Sequence, residues 1–206
     1  MRRIIVGAGS LGRELFEWGC EGPSTSPPVV FLDDEPRRAS TRVRVPVFAI
    51  HGFVPEHGDY MLVAIADPEA RRAMVERLAL AGQVSLLRGW RHRTSILANT
   101  CEHGYGTLLL PYSLVSSDAV LGAHCILNTH ATVGHDVKMG GFCTLSSHVD
   151  ICGRVTVGDR VFFGSGARVL PDLTVGNDAV IGAGAVVVQD VPAGATVFGV
   201  PARRVK

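Results

Sequence analysis

TLLLPY SLVSSD AVLGAH CILNTH ATVGHD VKMGGF CTLSSH VDICGR VTVGDR VFFGSG ARVLPD LTVGND AVIGAG AVVVQD VPAGAT, residues Thr107 to Thr196, divides into fifteen hexads without an insertion. The third place runs Leu109, Val115, Leu121, Leu127, Val133, Met139, Leu145, Ile151, Val157, Phe163, Val169, Val175, Ile181, Val187 and Ala193. The first place is small or β-branched almost throughout, as at Ala119, Cys125, Val155 and Ala179, with Leu173 the bulky exception. Glycine recurs at the fourth place (Gly122, Gly134, Gly140, Gly158, Gly164, Gly176, Gly182), where a turn needs room for the backbone. A period of six fits neither a helix nor an ordinary alternating strand. One bulky inward residue per six is the pattern of a parallel β-helix. Each hexad supplies a short strand and a corner, and three hexads make a triangular coil that stacks at about 4.8 Å on the next. The fifteen hexads therefore predict five coils.

Working outward towards the N-terminus, Arg2–Val6 (RRIIV) reads as a β-branched strand. It runs into Gly7-Ala8-Gly9-Ser10-Leu11-Gly12 and then a helical stretch, RELFEWG. Strand, G-x-G-x-x-G and helix in that order are the setting of a nucleotide-binding turn, whose glycines admit a phosphate to the helix N-terminus. The same glycines also suit a βαβ turn that binds nothing. After a linker with Pro23, Pro27 and Pro28, Val29–Asp34 (VVFLDD) reads as a second strand ending in two acids. Asp33 stands near the ~20-residue spacing expected of an acid that accepts from a ribose hydroxyl. Tyr60–Asp67 reads as a third strand, Pro68–Gly82 as a helix with Pro at its start and Gly at its end, and SLLRGW as a further strand. The N-terminal domain, 1–90, has room for one nucleotide, which argues against a two-halved dehydrogenase domain. The β-helix domain is expected over 91–206, with Arg91 to Gly106 as an irregular first turn. After Thr196 the repeat yields to VFGVPARRVK, which ends the stack and presents Arg203, Arg204 and Lys206.

Lysine and arginine number 20 against 19 acids in 206 residues, and no basic block points to nucleic acid. No stretch reaches the ~20 apolar residues of a membrane span. The N-terminus turns into glycine too early for a signal peptide, so a cytoplasmic protein is expected. The five cysteines form no CxxC pair. Cys125 and Cys143 fall one coil apart and read as small buried thiols, as the cytoplasm favours.

Among polar residues, histidine suits proton transfer near neutral pH. Of eight histidines, His124, His130, His135 and His148 crowd into one stretch. His130 and His148 share the sixth place one coil apart and should stack. His135 is followed by Asp136, an acid near the same corner. His130, His148 and Asp136 lack the dense spacing of a metal site, and no metal is expected. For each histidine taken alone, a solvated corner residue is the plain alternative.

Together these residues resemble the hexapeptide-repeat acyltransferases. More narrowly, they resemble the sugar acyltransferase group that includes the bacterial sialic acid O-acetyltransferases and the nucleotide-aminosugar N-acetyltransferases. The resemblance covers an α/β, Rossmann-like βαβ unit, the β-helix and a G-V-P-A-[RK] tail, here Gly199-Val200-Pro201-Ala202-Arg203. It implies a left-handed parallel β-helix, where crossover preference alone favours the right hand. Asn128-Thr129-His130-Ala131-Thr132-Val133-Gly134-His135-Asp136 resembles the family's catalytic segment, N-T-x-x-x-[VI]-x-H-[DE]. It implies His135 as general base, Asp136 as its orienting acid and Asn128 in the acceptor pocket. It further implies Gly9, Ser10, Leu11, Asp33 and Asp34 at a nucleotide-linked sugar. Gly153, Ser165 and Ala183 would lie along an acetyl-CoA groove between subunits of a homotrimer. Two positions depart from the family. Leu11 stands where G-G-H-G places a histidine, and Thr144, near the thioester, stands where some members carry a second one. The implied activity is acetyl transfer from acetyl-CoA to the amino group of a nucleotide-linked amino sugar in bacterial glycan biosynthesis. Transfer to a sugar hydroxyl, or a non-catalytic nucleotide-sugar scaffold, are the alternatives.

Overall fold

The computed structural model describes residues 1–19, 28–36 and 45–205. Cys20, Pro23, Pro27 and Lys206 fall outside them. The chain forms two compact units, one within Met1–Ala66 and Ala70–Gly89, the other holding Asp67–Glu69 and the chain from Trp90 onward.

In the first unit, β1 (Arg3–Val6), β2 (Val29–Asp33), β3 (Val47–Ala49) and β4 (Tyr60–Val63) form a parallel sheet in the order β3-β2-β1-β4. β1 lies between β2 and β4, and Ile4, Ile5 and Val6 are wholly buried. A central parallel strand is covered on both faces, which is why RIIV is apolar without alternation. Helix α1 (Ser10–Gly19) buries Leu11, Gly12 and Leu15. An added Cβ at Gly12 would fall on the Gly7 carbonyl oxygen, so only glycine lets the helix lie this close to the loop. Helix α2 (Pro68–Leu80) stops two residues before Gly82. Gly82, at φ +71°, donates to Ala79 O, and Gln83 N donates to Leu78 O. This is the paired closure of a Schellman cap.

SLLRGW does not form a strand of this sheet. Val84–Leu86 is a short 3-10 turn, and only Leu87 bridges to Met61 at the β4 edge. Trp90, the first residue of the second unit's main stretch, pairs with Leu108 there.

Asp59, just before β4, is buried in the first unit. Its carboxylate accepts from Arg2 Nη2 (2.7 Å) and Nε (3.1 Å) and from the backbone N–H of Arg2 (2.7 Å) and Glu56 (2.9 Å). Burial pushes this carboxyl up, but the Arg2 guanidinium and the two N–H groups outweigh burial and hold it at about 2. A carboxyl lowered by folding stabilises above its unfolded value and loses that contribution as pH falls through the folded one. Asp59→Asn is therefore expected to cost roughly 2–4 kcal/mol at neutral pH, since it removes the buried partner of Arg2 and leaves it only the exposed Glu56 carboxylate at 3.1 Å. Urea unfolding at pH 7 and pH 3 should show the gap between wild type and variant narrowing at the lower value, where the unfolded carboxyl is already largely protonated and the folded one is not. An equal gap at both would count against Asp59 as an acid-labile tie.

The second unit is a parallel β-helix with three faces. The first face carries β5 (Trp90–Arg91), β8 (Leu108–Leu109), β11 (Ile126–Leu127), β14 (Thr144–Leu145), β17 (Phe162–Phe163), β20 (Val180–Ile181), β22 (Thr196–Phe198) and β23 (Arg203–Arg204). The second carries β6 (Ile96–Leu97), β9 (Leu114–Val115), β12 (Thr132–Val133), β15 (Asp150–Ile151), β18 (Arg168–Val169) and β21 (Val186–Val187). The third carries β7 (Glu102–His103), β10 (Val120–Leu121), β13 (Lys138–Met139), β16 (Thr156–Val157) and β19 (Thr174–Val175). Partners stand one coil apart, as in Val120↔Lys138, Leu127↔Leu145 and Val133↔Ile151.

Two places per hexad face inward, not one. Ala119, Cys125, Ala131, Val137 and Cys143 at the first place are as buried as Leu121, Leu127, Val133 and Leu145 at the third. The prism has room for a large residue at the third place because the first is small. Cys125 and Cys143 are buried thiols, each donating to a carbonyl of the neighbouring coil, Gly140 and Gly158.

The corners explain two further regularities. Positive φ falls on the sixth place, near +60° at Tyr112, Asp118, His124, His130, Asp136, Phe142, His148, Arg154, Arg160, Asp172 and Asp178. Asp and His tolerate the left-handed region better than most residues, and they hold seven of these eleven corners. Fourth-place glycines do not have positive φ. An added Cβ at Gly134 would stand 2.7 Å from Gly153 N, and those at Gly122, Gly140, Gly158, Gly164 and Gly176 would likewise collide with backbone of the next coil. Their cause is coil stacking.

The β-helix begins one coil earlier than the apolar pattern indicates. β5, β6 and β7 already form a regular coil where an irregular turn was expected, and the seven strands from β5 to β22 enclose six turns. Arg91 and His103 occupy third places there and remain exposed, as an open prism end allows. At the other end the register holds through Asp190 and then shortens. Val191 bridges to Val175 and Thr196 pairs with Val180, each two residues short of a full coil. Val191, Ala195 and Val197 therefore take the interior places, and Ala193 is exposed in the Pro192–Gly194 turn. β23 then folds back antiparallel on β22, which covers the last strand edge.

Candidate active site

The corner between the second and third faces holds the fifth- and sixth-place residues Ser117-Asp118, His135-Asp136, Gly153-Arg154 and Pro171-Asp172 of successive coils. β12 ends at Val133, Gly134 closes on the following coil, and His135 projects from the turn with its side chain 53% exposed. His124, His130 and His148 stand in left-handed sixth places, where the backbone itself favours histidine. His135 does not, so its presence has no such backbone cause.

Asp136 is in contact with it. Oδ2 lies 2.7 Å from His135 Nδ1. A proton on Nδ1 satisfies this contact and leaves Nε2 as the basic nitrogen. The following coil passes under the ring at Gly153. A Cβ there would stand 2.5 Å from Nε2 and 2.6 Å from Cε1. Gly153 lacks positive φ, so glycine is needed at this place for the imidazole and not for the turn. Among the described residues, the Gly153 N–H donates to no strand carbonyl, whereas Arg154 N donates to His135 O at 2.9 Å. Arg154 is clamped by Asp172, with Nε–Oδ1 at 2.6 Å and Nη2–Oδ2 at 2.8 Å. The Asp172 hydrogen bond raises the Arg154 guanidinium, and Asp136 adds to the effect. The same bond lowers the Asp172 carboxyl, with His135 contributing.

Asn128 lies at the preceding corner of the same coil, where its Oδ1 accepts from Thr129 N at 2.7 Å. Beside it, Tyr112, His130 and His148 stack as a ladder, with centroids 5.0 and 4.9 Å apart and the two imidazoles 2° from parallel. Face-to-face rings send their nitrogens sideways, and Asp136 is at another corner. Among the described residues no group of three His, Cys, Asp or Glu side chains is placed to hold a metal ion.

The residues singled out for acetyl-CoA separate. Gly153 belongs to the His135 corner, while Ser165 and Ala183 are exposed one coil apart at the corner of the ring ladder. Thr144 in β14 is 3% exposed, and its column neighbours Leu108 in β8 and Ile126 in β11 are buried too, so its hydroxyl is not offered to a groove.

In the first unit, Gly7 has φ +102° and Gly9 has open space around it. Ser10, the first residue of α1, is exposed. Leu11 is 6% exposed because it faces the core side of α1, so its side chain does not reach a ligand. Asp33 ties the loop in place, its Oδ2 accepting from Ala8 N (2.8 Å) and Oδ1 from Glu35 N (2.9 Å). Asp34 pairs with Arg77 of α2 at 2.9 Å.

Sequence reasoning passed over Arg154, Asp172 and Arg77. The first two were marked by a repeat of 18, which brings Asp136, Arg154 and Asp172 to one column. Arg77 had no such signal, because its partner lies on another element.

Residues 154–189 match the family described as bacterial transferase hexapeptide (six repeats). Comparison with curated proteins finds no match. Among solved structures, the chain is 30% identical to PerB from Caulobacter crescentus in complex with CoA and GDP-perosamine, covering 100% of this chain and 98% of that one at a TM-score of 0.88. WeeI from Acinetobacter baumannii is 26% identical over 100% of both chains, with a TM-score of 0.91. The acetyltransferase domain of PglB from Neisseria gonorrhoeae is 29% identical over 99% of both, with a TM-score of 0.85. With identity of this order across both units, and the hexad register and G-V-P-A-R tail in place, the chain belongs to the hexapeptide-repeat sugar acyltransferase family.

Proposed function

We propose that the protein transfers the acetyl group of acetyl-CoA to the amino group of a nucleotide-linked amino sugar, with His135 as general base. The observation that carries this reading is the end-to-end likeness to a chain described with both CoA and GDP-perosamine, which spans the N-terminal unit as well as the β-helix. The Asp136–His135 contact supports the assignment of the base.

In the reaction, the sugar amine attacks the thioester carbonyl carbon. A C–N bond forms, the amine proton passes to His135 Nε2, and the carbonyl oxygen takes up negative charge. Collapse breaks the C–S bond, and the proton leaves His135 with the departing sulfur as the CoA thiol. Asp136 holds the ring through Nδ1 and stabilises the imidazolium. The Gly153 N–H, unspent on the strand ladder and next to the ring, is the donor we assign to the developing oxyanion.

The N-terminal sheet acts in this reading as the Rossmann-like nucleotide-sugar unit. Gly9 and Ser10 offer open backbone at the start of α1 for phosphate, with Asp33 and Asp34 beside the ribose or base. Leu11 contributes through its backbone alone. The β-helix winds left-handed and the chain works as a homotrimer. Support for the trimer comes from Gly153 and the Ser165–Ala183 pair standing at different corners, so that a neighbouring copy is needed to gather them along one acetyl-CoA molecule. Asn128 lines the acceptor side. We place the reaction in the cytoplasm, in keeping with cysteines held as thiols. Among the described residues no helix is long and apolar enough to cross a membrane.

The test is thiol release from acetyl-CoA against UDP-, GDP- and dTDP-linked amino sugars. Turnover on one of them, with mass gain at nitrogen, is the expected result. Turnover only on hydroxyl acceptors, or failure to bind acetyl-CoA, would overturn the proposal.

A further inference from the structure

We infer that the Arg154–Asp172 ion pair sets the charge balance of the catalytic dyad: Arg154 places a cation in the coil next to Asp136, and Asp172 offsets the Arg154 charge at His135. This deepens the reading of His135 as base and rests on it.

Sixth-place residues of this corner form a column, Asp118, Asp136, Arg154 and Asp172, one per coil. Neighbouring coils stack at about 4.8 Å. Without Arg154 the column would be three acids, and Asp136 would sit between repelling charges. With it, Asp136 has a cation one coil away on the side opposite Asp118. Arg154 is also held in place at both ends of the residue. Its N–H donates to His135 O at 2.9 Å, and its guanidinium is gripped at two points by Asp172. A two-point grip fixes direction as well as distance.

Groups from every turn packed against His135 enter the balance. The preceding coil contributes Asp118, the same turn Asp136, and the following coil Gly153, Arg154 and the Cys152 thiol. Asp172 lies one coil further on. The charged members sum to three acids and one cation. The proton that His135 takes up therefore enters a net anionic corner. Arg154 orders that corner without making it repel the proton, because Asp172 cancels most of its charge. Both groups are half exposed, so the effect is modest and depends on salt.

The two members should act with opposite signs. Arg154→Gln removes a cation near the ring and leaves Asp172 uncancelled, so the imidazolium is favoured and the acid limb of kcat/KM against pH moves up. Asp172→Asn leaves Arg154 uncancelled, and the limb moves down. Each displacement should be about half a pH unit at low ionic strength and shrink in ~0.5 M salt. The double variant should return close to the wild-type limb, and Arg154→Lys, which keeps the charge, should stay near it. Arg154→Gln should also lower kcat several-fold, with KM for the sugar little changed.

Full pH profiles on the whole protein, with His135→Ala alongside, decide the matter. Opposed displacements that cancel in the double variant carry the inference. Limbs that stay put, or move together, while His135→Ala is inactive would overturn it and leave the base assignment standing. An active His135→Ala would remove the base assignment, and this inference with it.

Discussion

His135→Ala is expected to lower kcat/KM by ~10²–10⁴, the range lost when a positioned general base is removed. The fold should be unaffected, because His135 is half exposed and its ring fills no core space. Substrate binding should also persist, since the assigned contacts to acetyl-CoA and the nucleotide sugar lie on other residues. The loss should therefore appear in kcat with KM nearly constant. His130→Ala and His148→Ala are the informative controls. Both rings stack on a different corner, and both residues occupy left-handed places that histidine suits for backbone reasons. Changes of no more than a few-fold are expected for them. If His148→Ala were as damaging as His135→Ala, or if His135→Ala kept a rate close to wild type on the true acceptor, the base would have to be sought elsewhere. Asp136→Asn should fall between, because the ring loses its charged partner at Nδ1 but keeps Nε2 over Gly153.

The uneven legibility of this chain has a physical cause. Inward places of a β-helix favour apolar or small residues of limited size, with Thr107 and Ser113 the buried polar ones, so coils from Thr107 to Asp190 carry their register in the sequence. At the ends that constraint lapses. Arg91 and His103 stand at open third places, and Val191 takes the interior place two residues ahead of the expected Ala193. Neither end follows the rule, and neither could be read from it. The His135–Asp136 contact lay within one turn and was legible as a neighbourhood. What lay across coils was harder. Gly153 was singled out for the acyl donor, while its contact with the imidazole needed the stacked backbone. Arg154 and Asp172 look like ordinary surface charges until the period of 18 sets them under Asp136. In the N-terminal unit, the glycine motif fixed the loop, but which side of α1 Leu11 faces depended on the sheet against which the helix packs.

The glycines give the largest expected effect on stability, and they separate two causes that a sequence presents as one. Gly122→Ala places a methyl group that overlaps the Gly141 amide nitrogen and stands 2.5 Å from the Gly140 carbonyl carbon and 2.7 Å from Gly141 Cα. All three are backbone atoms of the next coil, so no side chain can turn aside. Relief requires the two coils to part, which would stretch bonds such as Gly122 N to Met139 O (2.7 Å) and Phe142 N to Ala123 O (2.8 Å). The cost should be roughly 3 kcal/mol or more, at the upper end for overpacking. For a chain of this length that corresponds to a fall in Tm of about 6–12 °C. Gly166→Ala is the contrasting change. Gly166 has φ +71°, and nothing lies within 4 Å of an added Cβ. Its penalty is the left-handed backbone alone, about 1–2 kcal/mol. Many corners of this protein already accept that conformation with Asp or His, so Gly166→Asp should recover part of the loss. Gly122→Asp should not, because the clash at Gly122 comes from the Cβ itself. Thermal melting of the four variants tests both halves of the argument. If Gly122→Ala melted no lower than Gly166→Ala, glycine at the fourth place would not be there to let the coils close.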